Sequence, residues 1–306
     1  MKILGFGDNI VDRFLDRRLD YPGGNAVNVA VYARRLGATA GYLGVFGDDP
    51  LAGFLRAAVT AAGVDDAHCV VRHGETGIST LNVVNGERVF LEWNDGGITV
   101  RAPIDLDEGR LAYAAGFDLV HSSVYSRTEP ELARLRETDA LVSFDFSSEP
   151  EFRTDAYLAR VAPHIDLALL SCSEQSVEET HRLLDAAIAA GAGIALATRG
   201  TDGAIAADGA HRVHAETLLI ADPATIVDTM GCGDAFVAGF AVELLSRGWS
   251  RRHRPSAEDL LAALSAGHRS SRAQCFVESA FGGGRAIPED ELRRYTAPEA
   301  SAPSGL

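Results

Sequence analysis

The chain reads as an α/β protein whose mainly parallel sheet is covered by helices on both faces. Short apolar runs of strand length alternate with segments whose apolar residues recur at helical spacing. At 306 residues, 46% hydrophobic and 23% charged, it can bury the core of one large domain with an appendage. The alternation breaks at Asn9 to Leu19 and at Thr76 to Trp93, which predicts that appendage as a small β lid.

Ile3 to Gly7 is the first strand, and Asn9 to Leu19 reads as strand again. Gly23-Gly24-Asn25 then opens a helix in which Ala26, Val29, Ala30, Ala33 and Leu36 share a face and Gly37 supplies the stop. Ala40 to Val45 is a strand, and Leu51, Phe54, Leu55, Ala58, Val59 and Ala62 form one helical stripe. Ile78, Thr80, Asn82 and Val84 alternate up to an Asn85-Gly86 turn, with Val89, Leu91 and Trp93 beyond it, the pattern of a hairpin. Strands follow at Leu119 to His121, Leu141 to Phe144, Leu167 to Leu170 and Ile194 to Thr198. Leu183, Leu184, Ala187 and Ile188 belong to a helix that ends at Gly191. Asp208-Gly209 turns between Ala204 to Ala207 and His211 to His214, and Ser256 caps a long helix to Val277. The domain is expected over 1–290, its lid over about 9–22 and 74–98, and 291–306 as a tail, disordered from Pro298 to Leu306.

A net charge of −15 argues against a nucleic-acid surface, which relies on clustered cations. The one dense basic run, Arg251-Arg252-His253-Arg254, reads as solvated surface. No apolar run reaches membrane-spanning length and the start lacks a signal-peptide pattern, so a cytoplasmic location is expected. Cys69, Cys172, Cys232 and Cys275 show no zinc spacing and read as reduced thiols. Lys2 is the only lysine, which excludes a Walker A loop and a protein-kinase strand lysine.

The chemistry concentrates in Asp228-Thr229-Met230-Gly231-Cys232-Gly233-Asp234, which runs directly into the apolar Ala235-Phe236-Val237. Its glycines let the backbone turn tightly, so that N–H groups at the helix start can surround an anion. Asp234 can take a proton from a hydroxyl brought against that anion, and cradle plus base implies phosphoryl transfer. The blander alternative is a glycine turn whose aspartate caps a helix. Cys232 reads as a small filler whose thiol pKa the helix start is expected to lower, opening turnover to alkylation. Asn25 and Asn28 are neutral amides suited to sugar hydroxyls.

Together with Gly44-Val45-Phe46-Gly47-Asp48, these blocks resemble the signatures of the PfkB (ribokinase-like) carbohydrate kinase family, in order over roughly residues 1 to 285. Gly7 to Asp12, Gly24 to Asn28 and Phe144-Asp145-Phe146-Ser147 look most like its fructoselysine 6-kinase branch. The resemblance implies a three-layer α/β/α sandwich, a lid over the sugar, and ATP-dependent phosphorylation of a primary hydroxyl on a sugar or glycated amino acid. It implies Asp234 as base, with the N–H groups of Gly231, Cys232 and Gly233 as anion hole. Asp12, Gly24, Asn25 and Asn28 would hold the acceptor and Asp8 an amino-acid appendage. Thr198, Gly200 and Gly203 would lie along ATP. Glu174 and Asp145 are the candidates for Mg2+, although Ser171 stands where the family shows asparagine. Asp228 is the candidate for a monovalent-cation (K+) site with carbonyls near Ser279 to Gly283. Exposed lid edges imply a homodimer.

Two other readings stay open. Another sugar or nucleoside kinase of the same family, such as a fructokinase, ribokinase or adenosine kinase, would differ in lid residues such as Arg88, Glu92 and Trp93. A catalytically silent ligand-binding member is the second, and the intact Asp234 argues against it. A dehydrogenase is weaker, because Gly5-Phe6-Gly7 is not followed by the glycine and helix of a dinucleotide fingerprint.

Overall fold

The computed structural model describes residues 1–84 and 87–296; the expected Asn85-Gly86 turn and the Pro298 to Leu306 tail lie outside the described residues. The chain enters as β1 (Lys2–Gly7), leaves for the hairpin β2 (Ile10–Phe14) and β3 (Leu19–Gly23), and returns through α1 (Asn25–Arg35), β4 (Thr39–Phe46), α2 (Pro50–Ala61) and β5 (Val70–Val71). A second excursion forms β6 (Ile78–Val84) and β7 (Glu87–Trp93), followed by α3 (Gly97–Arg101) and α4 (Glu108–Ala114). Then come β8 (Leu119–Ser123), α5 (Leu132–Arg136), β9 (Leu141–Asp145), α6 (Asp155–Val161), β10 (Leu167–Ser171), α7 (Val177–Ala189) and β11 (Ile194–Thr198). The hairpin β12 (Ala204–Ala207) and β13 (Arg212–Ala215), α8 (Cys232–Ser246), α9 (Ala257–Gln274), β14 (Arg285–Ala286) and α10 (Glu289–Thr296) complete the chain.

In space the central sheet runs β13-β12-β11-β10-β9-β8-β1-β4-β5, parallel from β11 to β5 with an antiparallel edge. Alternate residues of each strand feed opposite layers. Ile3, Leu119, Leu141, Leu167 and Ile194 pack with α1, α2, α8 and α9, whereas Leu4, Val120, Val142, Ala168 and Ala195 pack with α4 to α7. Burial on both faces is why these strands are near-continuous apolar runs. After β1 the chain builds outward first through β4 and later through β8 on the other side. A crevice forms at such a reversal, outside the carboxyl ends of the strands.

The second sheet has the order β14-β3-β2-β6-β7. The expected strand from Asn9 to Leu19 is interrupted: Leu15 to Arg18 form a turn, with Arg18 in the left-handed region (φ 56°) and β3 running on to Gly23. Phe14, Tyr21 and Leu81 form its small apolar core. Beside them the buried Arg13 guanidinium pairs with the buried Asp20 (2.7 Å) and with Glu291 of α10 (2.5 Å). The expected tail from 291 is therefore a helix as far as Thr296, docked on this sheet. Arg251 likewise departs from the solvated-surface reading. It pairs with Asp166 (3.2 Å) and donates to the carbonyls of Arg136, Thr138 and Ala140, tying the α8–α9 connection to the ends of α5 and β9.

Candidate active site

Beyond the carboxyl ends of β1, β8 and β9, under β6 and β7 and against the start of α8, lies a cavity of about 810 Å³. That size falls within the range of small-molecule sites. Gly231, Cys232, Gly233 and Asp234 form one wall, and Gly24, Asn25 and Asn28 of the α1 start form the next. Asp8, Asp12 and Asp145 also line it, and Arg88, Phe90, Glu92 and Trp93 reach it from the lid.

The α8 start is built by glycine. Gly231 is its N-cap with φ 74°, and a Cβ there would stand 2.2 Å from the Tyr32 hydroxyl. A Cβ on Gly233 would meet nothing within 4 Å, leaving room for a ligand over the helix end. Among the described residues the N–H groups of Gly231, Gly233 and Asp234 have no hydrogen-bond partner, whereas the Cys232 N–H donates to the Thr229 carbonyl (3.3 Å). The N–H groups left open at the helix start are thus those of Gly231, Gly233 and Asp234, whereas that of Cys232, expected among them, is engaged.

Asp234 is held from both sides. Asn25 Nδ2 donates to its Oδ1 (2.8 Å) and Asn28 Nδ2 to its Oδ2 (2.7 Å). Burial drives its pKa well above the ordinary carboxylate range; Asn28 opposes this, and the negative charges of Asp145, Asp8 and Asp12 add to it. Asn25 Nδ2 also donates to Asp145 Oδ2 (2.9 Å). Asp145 accepts the Ser147 N–H at Oδ1 (2.7 Å), and burial lifts its pKa to about 6 against those two hydrogen bonds. Asp12 is lifted to about 7 by burial, with Arg88 opposing and Asp228 adding. The Asn28 Oδ1 is buried and accepts nothing.

Several expected site residues stand elsewhere or do other work. Asp8 accepts the N–H groups of Asn25 (2.6 Å) and Ala26 (3.3 Å) and the hydroxyls of Ser123 (3.1 Å) and Ser126 (2.6 Å). It caps α1 in place of a side chain from Gly24, with three of these donors on Oδ1 and one on Oδ2. Gly24 (φ 114°) brings the α1 start so close that a Cβ would lie 2.6 Å from Asn9 Cα. Glu174 is exposed in the turn after β10 and does not line the cavity. Asp228 is paired with two arginines of the lid sheet, Arg17 (3.3 Å) and Arg88 (3.7 Å), and accepts the N–H groups of Met230 and Ser279. Its charge is met by guanidinium in this arrangement. Thr198, Gly200 and Gly203 lie at the end of β11, where Thr198 is the register partner of the cavity-lining Ser171, so they flank the cavity one strand over.

For Cys232 the expected pKa direction is reversed. Its Sγ lies 3.5 Å from Cys275 Sγ, and burial followed by that neighbour pushes the thiol up. Of the two expected metal candidates, Asp145 lines the cavity and Glu174 does not, and no group of His, Cys, Asp and Glu that could hold an ion forms among the described residues. That donor set suits an ion carried mainly by phosphate oxygens and water, as Mg2+ usually is.

Sequence reasoning missed His121, Tyr125 and Glu149. His121 closes the predicted strand Leu119 to His121 at the carboxyl end of the sheet, the position where ligands gather, and that was the available signal. Tyr125 donates to Glu149 Oε1 (2.8 Å), and both line the cavity.

Residues 16–281 match the pfkB family of carbohydrate kinases. Fructosamine kinase FrlD of Bacillus subtilis (strain 168) is 37% identical over 285 residues, covering 93% of this chain and 94% of that protein. Fructoselysine 6-kinase of Escherichia coli (strain K12) is 36% identical over 255 residues, covering 82% of this chain and 90% of that protein. Among solved structures, fructokinase from Vibrio cholerae O395 in fructose, ADP and calcium ion bound form superposes with a TM-score of 0.69 at 22% identity, covering 96% of this chain and 98% of that one. No helix among the described residues is long and apolar enough to cross a membrane.

Proposed function

The chain belongs to the pfkB family of ATP-dependent carbohydrate kinases, and on that premise we propose that it phosphorylates a primary hydroxyl of a fructosamine, with fructoselysine as acceptor and its 6-phosphate as product. The observation that carries this reading is one carboxylate, Asp234, held by two amides beside open N–H donors at a helix start, in a cavity also lined by Asp12.

Asp234 accepts the acceptor's hydroxyl proton as the oxygen attacks phosphorus. Its raised pKa makes the carboxylate a stronger base than an exposed one. The N–H groups of Gly231, Gly233 and Asp234 meet negative charge on the transferring phosphoryl group, where a low-dielectric wall makes each donor count for more. Asp12 and Asn28 orient the sugar, and the orphaned Asn28 Oδ1 is an acceptor that a sugar hydroxyl would satisfy. Thr198, Gly200 and Gly203 extend the nucleotide groove beyond Ser171. Asp145 would stand nearest a Mg2+ bound with the nucleotide, and such an ion would supply neutralisation of charge on the leaving diphosphate.

A glycated amine carries a cationic nitrogen next to its sugar. Glu92 and Glu149 line the same cavity and offer carboxylates for it, which favours this acceptor over fructose, ribose or a nucleoside. The edge strand β7 exposes Val89, Phe90, Leu91 and Trp93, which supports pairing of two lids in a homodimer; sedimentation as a monomer at micromolar concentration would exclude that arrangement. A cytoplasmic location, with ATP at hand, accompanies the reading, and recovery of the protein from the extracellular fraction would oppose it.

The deciding experiment is ADP release with Mg-ATP over a panel of fructoselysine, other fructosamines, fructose, ribose and nucleosides. Fructoselysine is expected to lead fructose by about tenfold or more in kcat/KM, within the reach of one added charged contact. Equal or better turnover of fructose would overturn the fructosamine assignment.

A further inference from the structure

His121 is fully buried at the middle of β8 and lies behind the wall that holds Asp234. Its Nε2 is 2.8 Å from Asn25 Oδ1, and its Nδ1 is 2.8 Å from Ser143 Oγ. Burial lowers its pKa to about 3, so the ring is neutral and carries one proton.

The direction of every hydrogen bond in this chain follows from its far end. With Asp234 ionised, as a base must be, it only accepts, so the Asn25 NH2 faces it and Asp145. The Asn25 carbonyl oxygen is then turned inward to His121, which must place its single proton on Nε2. Nδ1 is left as an acceptor, and Ser143 donates to it. A rotated Asn25 would set its carbonyl oxygen against two carboxylates and its NH2 against the Nε2–H, a contact that only a shift of the ring proton to Nδ1 would restore.

We infer that His121 is a positioning residue for phosphoryl transfer, fixing the Asn25 amide with its two N–H groups toward Asp234 and Asp145. It reaches the reacting atoms only through Asn25. The inference rests on the reading of Asp234 as base.

The test is a kinetic double-mutant cycle in the full-length enzyme. His121→Leu removes the donor while keeping an apolar filler, and is expected to lower kcat at least tenfold with KM for ATP within about twofold of wild type. His121→Gln returns an N–H donor to the Nε2 position and is expected to recover most of that loss. In an Asn25→Ala background, His121→Leu is expected to cost less than about threefold more, because the group it orients is already gone. Multiplicative losses in the double variant, or wild-type kcat in His121→Leu, would overturn the inference. If His121→Leu does not fold, folded His121→Gln decides alone, and a tenfold loss there counts against the proposal. Asp234→Asn run alongside separates the two claims: activity in that variant sinks the base assignment, whereas its inactivity beside an active His121→Leu sinks only the role of His121.

Discussion

Replacing Asp234 with asparagine should separate rate from stability in opposite directions. Both carboxylate oxygens accept amide donors, from Asn25 at 2.8 Å and from Asn28 at 2.7 Å. An asparagine can accept only one of them and turns its own NH2 toward the other, a loss of about 1 kcal/mol. Against this stands the removal of a desolvated charge that faces Asp145, Asp8 and Asp12. The sign follows from linkage. Asp234 has a folded-state pKa above its unfolded value, so between the two the native state holds a proton that the unfolded chain has lost, and stability falls as pH rises. Above the folded pKa the whole penalty is present, and the neutral amide does not incur it. The Asp234→Asn variant should therefore melt at or above the wild-type temperature at pH 8. Its kcat should drop by about 10²–10⁴, the contribution of a positioned base, equivalent to about 3–5 kcal/mol of transition-state stabilisation. Calorimetric melting, isothermal titration with nucleotide and coupled ADP release read the three quantities. A variant with kcat within tenfold of wild type would refute the assignment of the base, and one melting about 5 °C lower would refute the electrostatic argument.

Asp12 and Asp145, lifted to about 7 and about 6, should make the wild-type protein lose stability as pH climbs from about 4 to 7, and Asp12→Asn should flatten that decline. Urea midpoints across this window check it, and midpoints that rise with pH would contradict it. Arg13→Leu strips a partner from Asp20, which is fully buried and among the described residues keeps only the Arg285 guanidinium at 3.3 Å, so unfolding free energy should fall by about 3 kcal/mol. A urea-measured loss below about 1 kcal/mol would show that the pair contributes little. Cys232, its thiol held protonated by burial and by Cys275, should react with iodoacetamide at pH 7 more slowly than free cysteine; faster labelling by mass spectrometry would contradict the environment described.

What was legible in the sequence follows from where the physics is local. Strands buried on both faces announce themselves as apolar runs, and Gly231 and Gly24 mark places where only glycine fits the backbone. The lid hairpin showed through its two-residue alternation, which the register shift between Thr80 and Leu81 did not obscure. What stayed hidden depends on partners far apart in the chain. The contacts of Asp8 with the start of α1, and of Asp228 with Arg17 and Arg88 from the other sheet, each join residues remote in sequence. The pKa of Cys232 was misjudged because the helix-start argument is local, whereas Cys275 comes from the end of α9. His121 looked like any strand histidine, and only the Asn25 amide reveals which way its proton must point.

Arg17 and Arg88 belong to the roof, and Asp228 belongs to the segment that leads into Gly231. Lifting the roof would strip counter-charge from the floor, so under the proposed function the shape that closes over a sugar would also steady the turn at Gly231. Binding in the two halves of the cavity would then share one free energy, and reciprocity requires that whatever the acceptor adds to nucleotide affinity, the nucleotide returns to the acceptor. Dissociation constants for each substrate, taken with and without a non-reactive form of the other, read that term directly.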